Sequence, residues 1–492
     1  MPAARVSGER KPTNKWLALA TTMVGTLMST LNNSIVNIAN PIMAANFDVT
    51  MAQIQWVATI YLIVTSSLML LFGRMGDKVG AHRIYIVGIA IFTAGSLACF
   101  LVNDYLPLLF ARVLQGTGAA MSMSVGMALV VTIFPQSQRG RAMGASVTTV
   151  GLGNVLGAPV GGLVLAYASW HYIFLISVPF GLIAFLMAAI WLRSPVARNK
   201  ETQIALKSSL LFTVAITCLI VFLSGGVETR GWSALAFCAL IVVLIFVERR
   251  AKNPLFERSL LRNKRFILGN AISFLTYCAF MMLLFQLPFL LFTVWAVPMQ
   301  TAGFLLTVNA LTMAVSAPVA GFLSDRFGAF KVMIPALGAV VLSLGCAFLL
   351  GIEPNFVLFI LLLFIAGAGM GFFNTPNNSD IMTAANKEQA SFASGFVGTN
   401  RNLGFCIGTA LSAGVFHFGN NISEGYTALT GIGFDTDASL HVFSFHVVLV
   451  ISLALVLFGI GVCIYLVRSI TKRAADSSAE MECERERESK SE

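Results

Sequence analysis

The chain has 492 residues, of which 57% are hydrophobic and 11% charged, and its formal net charge is +10. A soluble protein of this size could not bury so much apolar surface, so the soluble classes are excluded. Apolar windows of about 20 residues recur along the chain, and each is long enough to cross roughly 30 Å of hydrocarbon as a helix. They are longer than the ~10-residue alternating segments of a membrane β-barrel. The composition therefore predicts an all-α protein that crosses the membrane many times.

The hydropathy pattern predicts fourteen spans. In chain order they are 16–41, 51–73, 83–102, 106–134, 140–167, 171–192, 207–224, 232–249, 266–295, 300–323, 331–351, 355–380, 390–418 and 442–468. Residues 1–15 precede the first span as a cytoplasmic N-terminus. Residues 469–492 have almost no large apolar side chain, so we predict a disordered cytoplasmic tail.

The basic residues support this count. With both termini in the cytoplasm, Arg230 is the one basic residue in the outer loops, out of 32 Lys and Arg in the chain. Such a bias is typical of a multi-pass protein of the cell membrane. The positive charge is therefore explained by basic residues in the cytoplasmic loops. We expect the lipid bilayer as a partner, and we do not expect nucleic acid. The eight cysteines form no CxxC pair, which predicts neither a metal site nor a disulfide framework.

Two loops share one sequence pattern. The loop GRMGDKVGAHR runs from Gly73 to Arg83, and the loop GFLSDRFGAFK runs from Gly321 to Lys331. Their matching positions, after spans two and ten, predict two six-span bundles at 16–192 and 266–468. The linker at 193–265 then carries two inserted spans. Parallel halves with a substrate site between them are a known transporter design.

The repeated loops are also candidates for gating. We expect each aspartate to accept from the free N–H groups at the start of the helix that follows it, so that the loop holds the inner side closed. The alternative is a plain charged turn that sets topology. The candidate gating residues are Gly73, Asp77, Lys78, Gly80, Arg83, Gly321, Asp325, Arg326 and Gly328.

Further motifs lie along the whole chain. They are LNNSIVNIANP at 31–41, QWVATIYL at 55–62, RVLQGTGAA at 112–120, GNVLGAPVGG at 153–162, WHYIFLISVPFG at 170–181 and RNLG at 401–404. With the paired loops, they resemble the motifs of the major facilitator superfamily, and its fourteen-span drug:proton antiporter branch in particular. The resemblance implies two six-helix bundles plus two inserted helices, and alternating-access export coupled to protons. The sequence departs from that branch at Asn32, where the branch typically has an acid.

Polar residues inside the spans are candidates for a central cavity. Because Asn32 cannot take up and release a proton, a cavity with two arginines and no mid-depth carboxylate should favour anionic, zwitterionic or neutral amphiphiles. Alternatively, the asparagines bond between helices, Arg112 joins spans one and four, and Arg401 lies beside a loop. The candidate cavity residues are Asn32, Asn33, Asn37, Arg112, Gln115, Asn374, Asn377 and Arg401.

Two further sets complete the site prediction. If transport is coupled to proton movement, Asp104 and Asp380 are the candidate coupling groups, because the spans contain few other acids. Small residues in span five predict close packing on a neighbouring helix. That set, with a proline that bends the helix, comprises Gly153, Gly157, Pro159, Gly161 and Gly162.

The leading interpretation is a secondary transporter that exports small amphiphilic compounds by proton antiport. The alternative is an importer of an organic anion or vitamin-like solute, by proton symport or facilitated diffusion. The sequence has no nucleophile–base constellation, HExxH motif or phosphate-binding loop, so we expect neither an enzyme nor a cofactor. We expect a monomer whose partners are a small molecule, protons and the bilayer.

Overall fold

The computed structural model describes residues 14–49, 51–192, 206–224, 227–251, 255–256, 258–386, 389–430 and 437–491. Regular structure in this part of the chain is helical. The α-helices are α1 (Lys15–Phe47), α2 (Met51–Val79), α3 (Ala81–Leu101), α4 (Tyr105–Ile133), α5 (Arg139–Tyr167), α6 (Tyr172–Leu175), α7 (Ser177–Trp191), α8 (Leu206–Ser224), α9 (Val227–Arg250), α10 (Arg258–Arg262), α11 (Lys264–Phe289), α12 (Met299–Phe327), α13 (Ala329–Phe348), α14 (Phe356–Thr383), α15 (Ala390–Thr430) and α16 (Asp437–Ser491). A 3-10 turn at Gln136–Gln138 precedes α5, and a π-helical turn at Leu290–Val294 follows α11.

A helix lies at each of the fourteen predicted spans, with α6 and α7 sharing one. Eleven helices of the described part are long and apolar enough to cross a membrane. The protein is therefore an all-helical, multi-pass membrane protein. Membrane crossing by α1, α8 and α15 remains a prediction, since the described parts of these helices are not among the eleven.

The two halves have matching contacts between their helices. In the N-terminal half, α1 packs on α5, α2 on α4, and α3 on α4 and α7. In the C-terminal half, α11 packs on α15, α12 on α14, and α13 on α14 and α16. Each contact in one half thus has a counterpart in the other, as the repeated loop motif predicts.

The halves meet mainly along two helix pairs, which we call the α2–α15 seam and the α5–α12 seam. Helix α4 also contacts α15, and α5 also contacts α14. In the first seam, Thr399 Oγ1 donates to the Ser66 carbonyl at 3.1 Å. In the second, Thr148 Oγ1 donates to the Ala314 carbonyl at 2.9 Å. Backbones approach closely in both, because a Cβ added at Gly395 would lie 2.6 Å from the Met69 carbonyl oxygen, and one at Gly144 would lie 2.7 Å from the Ala317 carbonyl oxygen.

The inserted helices lie beside the first seam. Helices α8 and α9 pack on each other, and α8 also contacts α2 and α15. The chain then returns through Leu255 and Phe256, which are bound by the Glu248 carboxylate through their N–H groups at 3.0 and 3.1 Å. The Leu255 carbonyl accepts from Arg74 Nε at 2.9 Å. The linker is therefore packed into the fold at this point.

The last helix extends beyond its predicted span. The structure continues α16 as helix to Ser491, where the composition predicted a disordered tail at 469–492. This segment is rich in Ala, Glu, Arg and Lys, which have high helix propensity. A lack of apolar side chains prevents packing in a core, but it does not prevent a helix.

Candidate functional site

A cavity of about 400 Å³ lies between the two halves. This volume is in the range of small-molecule sites, roughly 300–1,000 Å³. The described cavity wall contains aromatic and methionine side chains beside polar groups. These lining residues are Tyr61, Met123, Tyr277, Phe280, Met281, Met313, Met370 and Phe405.

The polar groups of the cavity differ between its two sides. The N-terminal half supplies hydroxyl groups from Ser29, Thr30, Tyr61 and Thr65. The C-terminal half supplies four amides and one guanidinium. These are Asn309, Asn374, Asn378, Asn402 and Arg401. In the described part of the lining, Arg401 is the one charged side chain, so the cavity as a whole carries positive charge.

Tyr277 connects two walls of the cavity. Its hydroxyl donates to Asn374 Oδ1 at 2.6 Å. Its ring packs edge-on against Phe405 of α15, with ring centroids 5.3 Å apart. Because Tyr277 is buried to 1% exposure, these contacts fix α14 and α15 relative to α11 around the cavity.

Arg112 lies outside the cavity, in a separate polar network. It is fully buried, at 0% exposure. Its Nη1 donates to Asn32 Oδ1 at 2.9 Å and to Gln115 Oε1 at 2.5 Å. Its Nε donates to the Val57 carbonyl at 2.8 Å. These bonds join α1, α2 and α4, which is the structural role that the sequence left open for Arg112.

The network continues into α3 and α7. Asn32 Nδ2 donates to Ser177 Oγ at 3.3 Å, and Gln115 Nε2 donates to Ser96 Oγ at 2.7 Å. The structure thus corrects the prediction that Asn32, Arg112 and Gln115 line the cavity. They cannot, because Tyr61 forms the cavity wall here and its ring lies 4.4 Å from the Arg112 guanidinium carbon.

The remaining predicted cavity residues have different positions. Asn374 and Arg401 line the cavity. Asn377 does not, because it points to α11, where its Nδ2 donates to Ser273 Oγ. The side chains of Asn33 and Asn37 lie outside the described residues. The sequence missed Asn378 as a lining residue, although its spacing of four from Asn374 placed both on one helix face.

The aspartate of the first repeated loop contacts the opposite half. Asp77 Oδ1 accepts from the Ser391 N–H at 2.9 Å, and its Oδ2 accepts from the Phe392 N–H at 3.0 Å. Both donors lie in the first turn of α15, where backbone N–H groups have no partner within the helix. We call this arrangement the first clasp.

The second repeated loop forms a matching second clasp. Asp325 Oδ1 accepts from the Gly140 N–H at 2.9 Å, and Oδ2 accepts from the Arg141 N–H at 3.1 Å. The Arg141 guanidinium adds an ion pair at 3.9 Å. The prediction that each aspartate binds the start of the helix following it was therefore wrong. The carboxylate binds a helix start across the seam, since that helix end is the one facing it.

Glycines allow the clasps to form. A Cβ at Gly73 would lie 2.7 Å from the Ser391 carbonyl oxygen, and one at Gly321 would lie 2.3 Å from the Gly140 carbonyl oxygen. Gly80 and Gly328 each lie between two helices, with φ of 110° and 91°, a region that favours glycine. The basic residues of the two loops differ in exposure, since Lys78 is half-buried and Arg83 and Arg326 are exposed.

A small-residue signal could have located the partners of the clasps. Gly140 and Gly144 begin α5, and Ser391 and Gly395 begin α15, with the same spacing of four. Such pairs permit close approach of two helices. The pattern is short, and it stands out only when the two halves are aligned.

The small residues of α5 pack against α1. A Cβ at Gly153 would lie 2.0 Å from Thr30 Oγ1, and one at Gly157 would lie 2.3 Å from Ser34 Cβ. A Cβ at Gly161 would lie 3.2 Å from Ile35 Cγ2. One at Gly162 would meet open space, so Gly162 does not belong to this contact. The helix continues through Pro159, whose side chain lies outside the described residues.

Neither candidate coupling acid lies in the cavity. Asp104 is exposed at the start of α4. Asp380 is buried to 4% exposure near the end of α14, and both of its oxygens accept from Arg265 Nε at 3.0 Å. The Asp380 carboxylate is thus held in an ion pair between α11 and α14.

Comparisons with known proteins agree with this architecture. A model of the Major Facilitator Superfamily matches residues 22–409. The chain is 37% identical over 407 residues to the riboflavin transporter RibZ of Clostridioides difficile (strain 630), which covers 82% of this chain and 88% of that protein. It is 30% identical over 412 residues to the multidrug resistance protein Stp of Mycobacterium tuberculosis (strain CDC 1551 / Oshkosh), covering 81% of this chain and 75% of Stp.

Solved structures share the fold. The human organic anion transporter MFSD10 (TETRAN) matches with a TM-score of 0.61 at 13% identity, covering 92% of this chain and 99% of that chain. The proton:xylose symporter XylE also matches with a TM-score of 0.61, at 12% identity, covering 90% and 94%. At these identities the likeness shows the fold alone.

Proposed function

Since the chain belongs to the Major Facilitator Superfamily and is a transporter rather than an enzyme, we propose that it carries uncharged or anionic aromatic solutes of vitamin size by alternating access. One observation carries this proposal. The described wall of the cavity combines one cation, Arg401, with four amides and several aromatic rings.

Electrostatics favour this class of solute. Arg401 is partly buried, and its charge acts through a medium less polarisable than water, which strengthens its interactions. A lipophilic cation in the cavity would meet this charge with no carboxylate in the described lining to offset it. A neutral solute with carbonyl groups, or an organic anion, would be attracted instead.

The aromatic lining and the amides favour a flat, hydrogen-bonding solute. Rings such as Tyr277 and Phe405 can pack on a planar ligand, and asparagine amides can both donate and accept hydrogen bonds. Riboflavin, named for the relative RibZ, has this chemistry. Organic anions, named for MFSD10, would suit the charge of the cavity.

The positions of the seams support one state of an alternating-access cycle. Among the described residues, the hydrogen bonds between the halves lie at the level of the cavity or towards the clasps. With both termini in the cytoplasm, as the basic residues predict, the clasps close the cytoplasmic side and the cavity faces outward. Opening inward would then require both clasps to break.

A second candidate function is efflux of amphiphilic compounds by proton antiport. The named function of Stp supports it, and so does the close packing of α5 on α1, which resembles that of exporters. Asp104, Asp380 and the two clasp aspartates all lie outside the cavity lining, so in this case protonation would act at a distance, by releasing a clasp at Asp77 or Asp325.

Transport assays in proteoliposomes distinguish the two candidates. Radiolabelled riboflavin, an anionic aromatic acid and tetraphenylphosphonium would each be tested with imposed pH gradients of either sign. We expect flux of riboflavin or the acid, reduced about tenfold or more by Arg401→Gln. Lys207→Gln, which removes an exposed cation at the start of α8, is the matched control and should leave flux unchanged.

Either of two results would overturn the proposal. One is flux of tetraphenylphosphonium alone, driven by an opposing proton gradient, which would instead establish the efflux candidate. The other is flux of all three compounds that is insensitive to Arg401→Gln, because the cavity charge would then have no part in selection.

A further inference from the structure

One amide of the cavity wall has an acceptor without a partner. Met370, Asn374 and Asn378 line the cavity from one face of α14, at a spacing of four residues. Asn374 Oδ1 already accepts from Tyr277. Asn378 is 2% exposed, and its Oδ1 has no hydrogen-bond partner among the described residues.

A buried acceptor of this kind is expected to have a hydrogen-bond donor as its partner. Buried polar atoms in proteins nearly always have a hydrogen-bond partner, and an exception needs an explanation. Asn378 lines the cavity, but its Oδ1 is itself buried, so the amide group must rotate to present this oxygen to a donor group of a bound solute.

The neighbouring helix supplies the complementary group. Arg401 and Phe405, also four residues apart, line the cavity from one face of α15. Tyr277 links the two faces, because its hydroxyl bonds to Asn374 and its ring packs on Phe405. An amide acceptor, a guanidinium donor and aromatic rings therefore border one cavity.

We propose that Asn378 Oδ1 accepts a hydrogen bond from an N–H group of the transported solute, while Arg401 donates to a carbonyl or anionic oxygen of the same molecule. The solute class that meets both requirements is an aromatic compound with a cyclic imide or amide edge. This inference rests on the proposed function and assigns Asn378 as the residue that selects for a donor on the solute.

The test compares two ligands that differ in one donor. Riboflavin has an imide N–H, and its derivative methylated on the imide nitrogen does not. Binding of each to the purified full-length chain in lipid nanodiscs would be measured by quenching of flavin fluorescence. We expect the wild-type protein to bind riboflavin about tenfold more tightly than the methylated ligand, since the latter leaves Asn378 Oδ1 unpaired.

Variants then assign the preference to one residue. In Asn378→Leu, both ligands should bind with equal affinity. Gln286→Leu changes a buried amide outside the cavity lining, whose Nε2 is bonded to Ser412 Oγ at 3.0 Å, and should keep the tenfold preference. If Asn378→Leu does not fold, Asn378→Ala removes the same acceptor with less added bulk.

The outcomes separate this inference from the function on which it rests. Equal binding of the two ligands by the wild-type protein, or a preference that survives in Asn378→Leu, would overturn the role of Asn378 and leave the proposed function standing. Failure of both ligands and of other aromatic amides and acids to bind would refute the proposed function itself.

Discussion

Asp77 and Asp325 are exchanged across the molecule, since each caps a helix of the half to which it does not belong. Asp77 in the N-terminal half binds the start of α15, and Asp325 in the C-terminal half binds the start of α5. Each carboxylate accepts from two N–H groups at the positive end of a helix dipole. The same chemistry thus closes both seams at the same end of the molecule.

Neutralising either clasp should favour opening at this end. Asp77→Asn or Asp325→Asn retains one acceptor oxygen and loses the charge at the helix start, which we expect to weaken the closed state by about 1 kcal/mol. Spin labels on Ser137→Cys and Asn386→Cys, in a cysteine-free background, would report a larger population of long distances. Glu353→Gln, an exposed acid remote from the clasps, should not shift the distribution. An unchanged distribution in both clasp variants would show that the clasps do not control the opening.

The substitution Gly321→Ala should disrupt the α5–α12 seam. Its Cβ would lie 2.3 Å from the Gly140 backbone oxygen, so the helices must separate, at a cost of about 1–3 kcal/mol in stability. Gly338→Ala is the matched control, because that position in α13 has nothing within 4 Å. There the added methyl should stabilise the helix by roughly 0.5–1 kcal/mol. Thermal unfolding in detergent measures both, and equal melting temperatures would contradict the packing described.

Removing the two partners of the Arg265–Asp380 ion pair should have unequal effects. Asp380 has a side chain 3% exposed, whereas that of Arg265 is 41% exposed. Arg265→Gln leaves a buried carboxylate unpaired and should destabilise the protein by about 3–5 kcal/mol. Asp380→Asn leaves a cation that can reach water and should cost less, about 1 kcal/mol.

Thermal unfolding of both variants and of the double variant would test this asymmetry. The double variant should recover most of the stability lost in Arg265→Gln. If Asp380→Asn instead abolished proton movement in liposomes while leaving thermal stability unchanged, the residue would be a coupling group, and the structural assignment made here would be refuted.

Replacing Asn32 by an acid should make the thermal stability of the protein depend on pH. The side chains bonded to Arg112 are Asn32 and Gln115, and these amides do not titrate. The carboxylate of Asn32→Asp would pair with Arg112 when ionised. Its contribution is therefore present at high pH and lost as the pH falls and the acid is protonated.

The measurement is the melting temperature of Asn32→Asp minus that of the wild type, followed from pH 8 to pH 4. The difference should fall as the pH falls. Arg112→Gln in the same background should remove most of the trend, because it removes the positive charge that favours the ionised form of the acid. A difference that does not vary with pH would mean that position 32 is not in contact with Arg112.

Helix positions were predictable because hydropathy and loop charge act over whole segments. The limits of α3 and α4 differ by one or two residues from the predicted spans. The repeated loops predicted two halves, and helix contacts in one half have counterparts in the other. Local sequence could not give the partners of Asp77, because Ser391 lies more than 300 positions away. Its contact depends on how the halves dock.

Placement of polar residues in the spans was less predictable. Asn32, Arg112, Asn374 and Arg401 are all polar residues within apolar helices. The first two are buried behind Tyr61, whereas the last two line the cavity. Hydropathy identifies polar residues in a span, but it does not distinguish the face towards a neighbouring helix from the face towards a cavity. Only the packing of the aromatic ring between them makes that distinction.

The packed linker has a consequence for the integrity of the molecule. Phe256 contacts Phe212 of α8 and Phe396 of α15, with ring centroids 5.8 and 6.5 Å apart, and Leu255 is tied to Arg74 of α2. The inserted hairpin is thus attached to both halves by side-chain contacts. Covalent continuity between α7 and α8 adds little to this attachment. Two polypeptides divided there and produced together should assemble into one transporter by fragment complementation.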